Sequence, residues 1–163
     1  MKMSGGVEWA VHCCVVLTAA SEPVPAARLA QLHDVSPSYL AKQMQALSRA
    51  GLVKSVQGKT GGYVLTRPAT EITVLDVVRA VDGAGPAFVC TEIRQRGPFG
   101  TPPEDCAKAC PVARTMAAAE AAWQASLRGV SIADLVGTVE QDSGPDALPT
   151  IGAWLNTANS SGD

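Results

Sequence analysis

The chain has 163 residues, of which 47% are apolar, 17% charged and only 4% aromatic, and its net charge is −2. That length buries roughly two-thirds of the unfolded surface, which excludes fibrous and wholly disordered classes. The longest apolar stretch, residues 9–20, is too short to cross a bilayer and carries His12.

No secretory cleavage pattern follows Met1, so the expected location is cytoplasmic, where five cysteines do not form a disulfide framework. Charge is unevenly spread. Between Arg28 and Arg67 lie six basic residues and one acidic residue, Asp34, so the rest of the chain is acidic. A basic module in an acidic body can hold phosphates while discouraging indiscriminate binding.

The first expected helix covers residues 7–18, with Val7, Ala10, Val11, Cys14 and Val15 on one apolar face. Cys13 and Cys14 read as small core residues. Pro23 and Pro25 end this helix and pre-set a second near 25–32. Ser36 is a good N-cap, Pro37 suits the first helical position, and Gly51 suits a left-handed stop, so a third helix fills the interval. Its apolar set is Leu40, Met44 and Leu47. Its other face offers Ser38, Tyr39, Lys42, Gln43 and Arg49 to phosphates and base edges.

Two extended runs, 52–56 and 63–66, flank the turn-rich Gln57-Gly58-Lys59-Thr60-Gly61-Gly62. Helix, helix, turn, helix, hairpin is the order of a winged helix-turn-helix, a mainly α fold with a small β-hairpin wing. Its third helix enters the major groove, and its hairpin touches the flanking backbone. The candidate DNA contacts are Ser38, Tyr39, Lys42 and Gln43 on the helix and Lys59, Gly61 and Gly62 on the wing.

Thr73-x-x-Asp76 forms a capping box for a helix ending at Gly83. A Gly/Pro-rich stretch with Cys90, Cys106 and Cys110 follows. An Ala-rich helix near 112–127 and a short helix opened by Ser131-x-x-Asp134 come next. No phosphate-cradling glycine loop, paired-histidine metal motif or nucleophile elbow is present, so no enzyme is expected.

At Pro37-Ser38-Tyr39-Leu40, Ala50-Gly51-Leu52-Val53, Gly61-Gly62-Tyr63 and Ile72-Thr73-Val74-Leu75-Asp76, the chain closely resembles the Rrf2 family of bacterial transcription regulators. The resemblance implies a homodimeric repressor on a roughly palindromic operator. With the element pattern above, the expected division is a winged helix-turn-helix (1–83), a cysteine-bearing cluster loop (84–111), a long dimerisation helix with a short C-terminal helix (112–142) and a flexible tail (143–163). In that tail, Ile151, Trp154 and Leu155 can dock as one turn. Departures from the family include Cys–Cys gaps of fifteen and three residues, Ala113 where some members have histidine, and Gln57 for a frequent wing arginine.

Many members hold an iron–sulfur cluster in the cysteine window, which requires four protein ligands. Cys90 and Cys110 stand beside rigid elements and lead the ligand set. If 106–110 is helical, Cys106 shares a face with Cys110 and joins the set. Glu8, from the partner's first helix, and His33, in the turn before the reading helix, are the candidates for the remaining places. His12 is a weaker choice. Two Cys with His and Glu favour a 2Fe–2S redox sensor. The alternatives are a 4Fe–4S sensor of nitric oxide or cluster status, zinc, and a cluster-free regulator responsive to thiol oxidation or a small molecule.

Overall fold

A computed structural model describes residues 3–157. It comprises α1 (Gly5–Leu17), α2 (Ala26–Leu32), α3 (Pro37–Arg49), β1 (Val53–Val56), β2 (Gly62–Leu65), α4 (Val74–Asp82), α5 (Pro111–Arg128), α6 (Ile132–Ser143) and α7 (Ala147–Asn156). Short 3-10 turns occur at Ala69–Glu71, Ile93–Gln95 and Pro103–Asp105. Among the described residues, no helix is long and apolar enough to cross a membrane.

Local chemistry sets most boundaries. The backbone N–H of Tyr39 donates to Ser36 Oγ at 3.2 Å, and Pro37 fills the first turn of α3. Gly51, at φ +70°, takes the left-handed position that ends it. Capping boxes open α4 at Thr73/Asp76 and α6 at Ser131/Asp134, as the sequence predicts. These two caps lie side by side: Thr73 and Ser131 form an antiparallel bridge, and the Ile132 N–H donates to Ile72 O at 2.8 Å.

The two strands pair antiparallel with Val53 opposite Leu65 and Val56 opposite Gly62. The wing is also stitched to the α1–α2 link, because Val24 and Tyr63 exchange both backbone hydrogen bonds, at 3.0 and 2.8 Å. A Cβ on Gly62 would lie 2.6 Å from Pro25 N, so this close approach requires glycine.

α1 is buried along most of its length rather than on one stripe. Ala10, Cys13 and Cys14 are fully enclosed, and Val15, Val16 and Leu17 are nearly so. The other walls of this core come from Leu29, Leu40, Leu47, Ile72, Ile132, Leu148 and Leu155.

The C-terminal third therefore differs from the sequence expectation. α6 and α7 pack on α1 and belong to the same core as α2 and α3. Residues 147–156, expected within a flexible tail, form α7 because Leu148 and Leu155 gain full burial there. Gly152 lets α7 lie directly against Ala19, whose carbonyl carbon would sit 2.9 Å from an added Cβ. Arg28 completes the docking: its guanidinium lies 3.3 Å over the Trp154 ring, and Nη2 donates to Trp154 O at 2.7 Å. Residues 158–163 of the expected tail lie outside the described residues.

Candidate functional site

The candidate DNA-contact surface expected from the sequence is α3 with the wing. Ser38, Tyr39 and Lys42 are exposed on α3. Ser38 Oγ lies 3.4 Å from Ser36 Oγ. Gln43 is a correction to the expected contact set. It is only 5% exposed, because α3 turns it inward against α1, where a Cβ on Gly6 would lie 2.6 Å from its Oε1. Gln45, which the sequence reading passed over, is exposed instead, as is Arg49. The signal available for Gln45 was its spacing of three and seven residues from Lys42 and Ser38, positions that share one helical face.

On the wing, Lys59 is exposed beside the tip. Gly61 and Gly62 have reasons internal to the fold. The Gly61 N–H donates to Gly58 O at 3.0 Å, and a Cβ there would lie 2.5 Å from Val56 O. The Gly61 N–H is thus already engaged within the turn.

The cysteines gather at the N-terminus of α5. Cys110 is its N-cap residue and is 5% exposed; Cys90 and Cys106 are half-buried. The Cys110 thiol is held below its ordinary range, first by the backbone N–H of Ala113 and then by that of Val112. Hydrogen bonding with the Cys90 side chain and the charge of Arg94 add to this, against the opposing effect of burial. Cys90 and Cys110, twenty positions apart, are therefore neighbours.

Arg94 fastens the loop around them. Its Nε donates to Glu92 Oε2 at 2.7 Å and its Nη2 to Lys108 O at 2.7 Å, while the Thr101 N–H donates to Arg94 O at 2.9 Å. Residues 106–110 are not helical; Cys106 closes a 3-10 turn at φ −94°, ψ 44°. The condition for a shared Cys106–Cys110 face is not met.

Glu8 is exposed on α1, and His33 is the C-cap of α2, immediately before α3. The His33 ring packs against Trp9 and His12, with centroids 6.0 and 5.8 Å apart. Its Nε2 is buried without a hydrogen-bond partner. Burial, then the neighbouring His12, lowers its pKa and favours the neutral ring, the form that can donate a lone pair to a metal. Among the described residues of one chain, no three His, Cys, Asp or Glu side chains converge closely enough to hold a metal ion. The structure brings Cys90 and Cys110 together, and does not gather them with His33 and Glu8 into one metal-holding group.

α5 itself is unusual. None of its eighteen residues is buried, and Val112 and Met116 are 59% and 42% exposed.

Comparison with known proteins accords with this architecture. A family model described as Rrf2, iron-dependent transcriptional regulator, matches residues 3–138. The chain is 33% identical to protein aau3 of Rhizobium meliloti over 83% of this chain and 85% of that one. It is 44% identical to the HTH-type transcriptional regulator YwgB of Bacillus subtilis, over 54% of this chain and 58% of YwgB. The match to IscR of Photorhabdus laumondii, 41% identical, spans 47% of this chain and 46% of that protein.

Among solved structures, T. potens IscR superimposes with a TM-score of 0.65 at 22% identity, covering 87% of this chain and 90% of that one. CymR, the global cysteine regulator of B. subtilis, gives 0.62 at 24% identity, covering 85% and 98%. At those identities the likeness establishes the fold.

Proposed function

Since this chain belongs to the Rrf2 family of DNA-binding transcription regulators, we propose that it works as a cytoplasmic homodimeric repressor that senses redox state through a 2Fe–2S cluster. Each protomer offers α3 to a major groove of a roughly palindromic operator, with the wing on the flanking backbone. Lys42 and Lys59 supply phosphate contacts; Ser38 and Tyr39 lie at the groove-facing start of α3.

The observation that carries the cluster reading is the meeting of Cys90 and Cys110 at the N-terminus of α5. The Glu92 carboxylate lies 3.9 Å from the Cys90 sulfur but is held by Arg94, and among the described residues no three such groups converge into a metal site. In this reading a second protomer completes the site. The unburied helix α5 offers the surface through which a second protomer pairs. The partner-supplied donors are Glu8 and His33. The unpartnered Nε2 of His33 is suited to the role, since a buried ring nitrogen with nothing to bond is costly unless a ligand takes it. Two thiolates, one imidazole and one carboxylate make the four ligands that such a cluster needs.

When bound, the cluster exchanges one electron. The chain's own residues do the rest. Arg94 holds the ends of the cysteine loop together. Backbone N–H groups of Val112 and Ala113 stabilise the Cys110 sulfur. His33, at the junction of α2 and α3, ties any change at the site to the reading helix. Cys106 remains outside the set; its participation would instead suit a 4Fe–4S site.

The test is an anaerobic ultraviolet–visible spectrum with iron and sulfide counted per protomer, before and after dithionite. Wild type is expected to carry about two irons and two sulfides per protomer and to bleach reversibly. Cys90→Ser, Cys110→Ser, His33→Ala and Glu8→Ala should each lose or destabilise the chromophore, whereas Cys106→Ser should keep it. Four irons per protomer, or full retention in both His33→Ala and Glu8→Ala, overturns the ligand set.

The same Cys90–Cys110 contact favours a second reading, a cluster-free dithiol switch. Protein that stays colourless after reconstitution and loses operator binding on peroxide treatment would establish it.

A further inference from the structure

α3 turns a continuous stripe outward: Ser38, Lys42, Gln45 and Arg49 are all exposed. At about 100° per residue, these four fall within a sector of about 60°. Leu40, Gln43, Met44 and Leu47 occupy the opposite side and are buried. The stripe runs about 16 Å along the axis at 1.5 Å per residue, the span of about five base pairs. Gln45 sits about 10 Å from its start, well inside that span.

The chemistry along the stripe differs from place to place. Lys42 and Arg49 only donate, and each suits a phosphate on either side of the groove. The Ser38 hydroxyl is short and faces Ser36 Oγ. Gln45 carries a donor and an acceptor on one planar group, the pattern that matches the N6 and N7 edge of adenine. Its side chain is exposed, and among the described residues no hydrogen bond engages it. Gln43, two positions earlier, has the same chemistry but is spent against Gly6 inside the protein.

We propose that Gln45 is a specificity-determining residue of this regulator, reading the edge of one adenine in each half-site while Lys42 and Arg49 bracket it on phosphates. This rests on the family's DNA-binding function and is independent of the cluster.

The experiment is selection of full-length protein on a randomised DNA duplex library, for wild type, Gln45→Ala, Gln45→Glu and Lys42→Ala. Fluorescence anisotropy follows, on the selected duplex and its single-base variants between 50 and 200 mM salt.

Gln45→Ala should keep the half-site and the salt slope. It should lose the preference for one A·T pair per half-site, a discrimination of about 5- to 150-fold for a bidentate contact. Gln45→Glu should move that position toward cytosine, whose N4 donates. Lys42→Ala should lower affinity evenly and flatten the salt slope. Because Gln45 is exposed, both substitutions at this position should melt with the wild type.

An unchanged motif in Gln45→Ala, or a loss spread evenly over all base variants, overturns the assignment. A wild-type selection that enriches no sequence overturns the DNA reading beneath it, and Gln45 with it.

Discussion

Two glycines inside helices make opposite predictions from the same substitution. Gly137 lies in α6 with nothing within 4 Å of an added Cβ, whereas Gly152 lies in α7 with its missing Cβ pressed on the carbonyl of Ala19. Alanine raises helix propensity at either site by about 0.5–1 kcal/mol. At Gly137 that gain stands alone. At Gly152 the methyl meets a backbone oxygen that cannot rotate aside, so α7 must lift, and overpacking of this kind costs about 1–3 kcal/mol. The net loss for Gly152→Ala is about 0–2.5 kcal/mol, while Gly137→Ala gains about 0.5–1 kcal/mol.

At about 2–4 °C per kcal/mol for a chain of this size, the two variants should bracket the wild type in thermal melts followed by circular dichroism. Protomer concentration must be matched, because dimerisation stabilises by mass action. Gly152→Ala melting above wild type, as Gly137→Ala should, would refute the seating of α7 on the end of α1, and with it the enclosure of Leu148 and Leu155.

Two further outcomes follow from the caps and the core. The Asp134 carboxyl is held below its ordinary range by the Ser131 hydroxyl first and the Ser131 N–H second, at 2.6 and 2.8 Å. A depressed folded pKa gives stability that is complete above the ordinary value of 3.8 and is lost as pH falls through the lowered one. The melting difference between wild type and Ser131→Ala should therefore stay level from about pH 5 to 8 and shrink below about pH 4; a difference that grows on acidification contradicts the cap. Burial pushes Cys13 and Cys14 up to about 12, with Cys14 also raising Cys13. Alkylation of metal-free protein at pH 8, mapped by mass spectrometry, should label the half-buried Cys90 and Cys106 and leave Cys13 and Cys14 untouched until unfolding; labelling at comparable rates would place α1 at the surface.

The legible features of this chain are those in which a side chain acts on its own backbone. Ser36 with Pro37, Gly51, and the Thr73/Asp76 and Ser131/Asp134 boxes set helix ends at short range, and the structure keeps them. The wing followed from its glycines, although the reason for Gly62 lies in Val24 and Pro25, remote in sequence. α7 was not legible as a helix: Gly144, Pro145, Pro149 and Gly152 read as breakers, and only Leu148 and Leu155 entering the core override them. At the site, the three-residue gap between Cys106 and Cys110 suggested one helical face, but the Lys108 carbonyl between them is taken by Arg94. His33 fell in the expected turn; the burial of its Nε2 against Trp9 and His12 needed the fold.

Gln43 is the sharpest case, because periodicity cannot distinguish a polar residue aimed at DNA from one aimed at a glycine on another helix. The two assignments separate in a double-mutant cycle. Gly6→Ala places a methyl 2.6 Å from Gln43 Oε1 and forces that amide out of its pocket, which should cost about 1 kcal/mol in an off-rotamer side chain and displace the reading helix from α1. Gln43→Ala alone loses packing at a site only 5% exposed. In the double variant, the new methyl occupies space the amide has left, so the combined cost should fall below the sum by about 0.5–3 kcal/mol, the range for side chains in contact. Urea melts measure the cycle. Operator anisotropy on the same proteins should show Gln43→Ala binding with the wild-type base preference. If the stability costs simply add, and Gln43→Ala instead loses one base preference, Gln43 faces the groove and the packing of α3 on Gly6 is wrong.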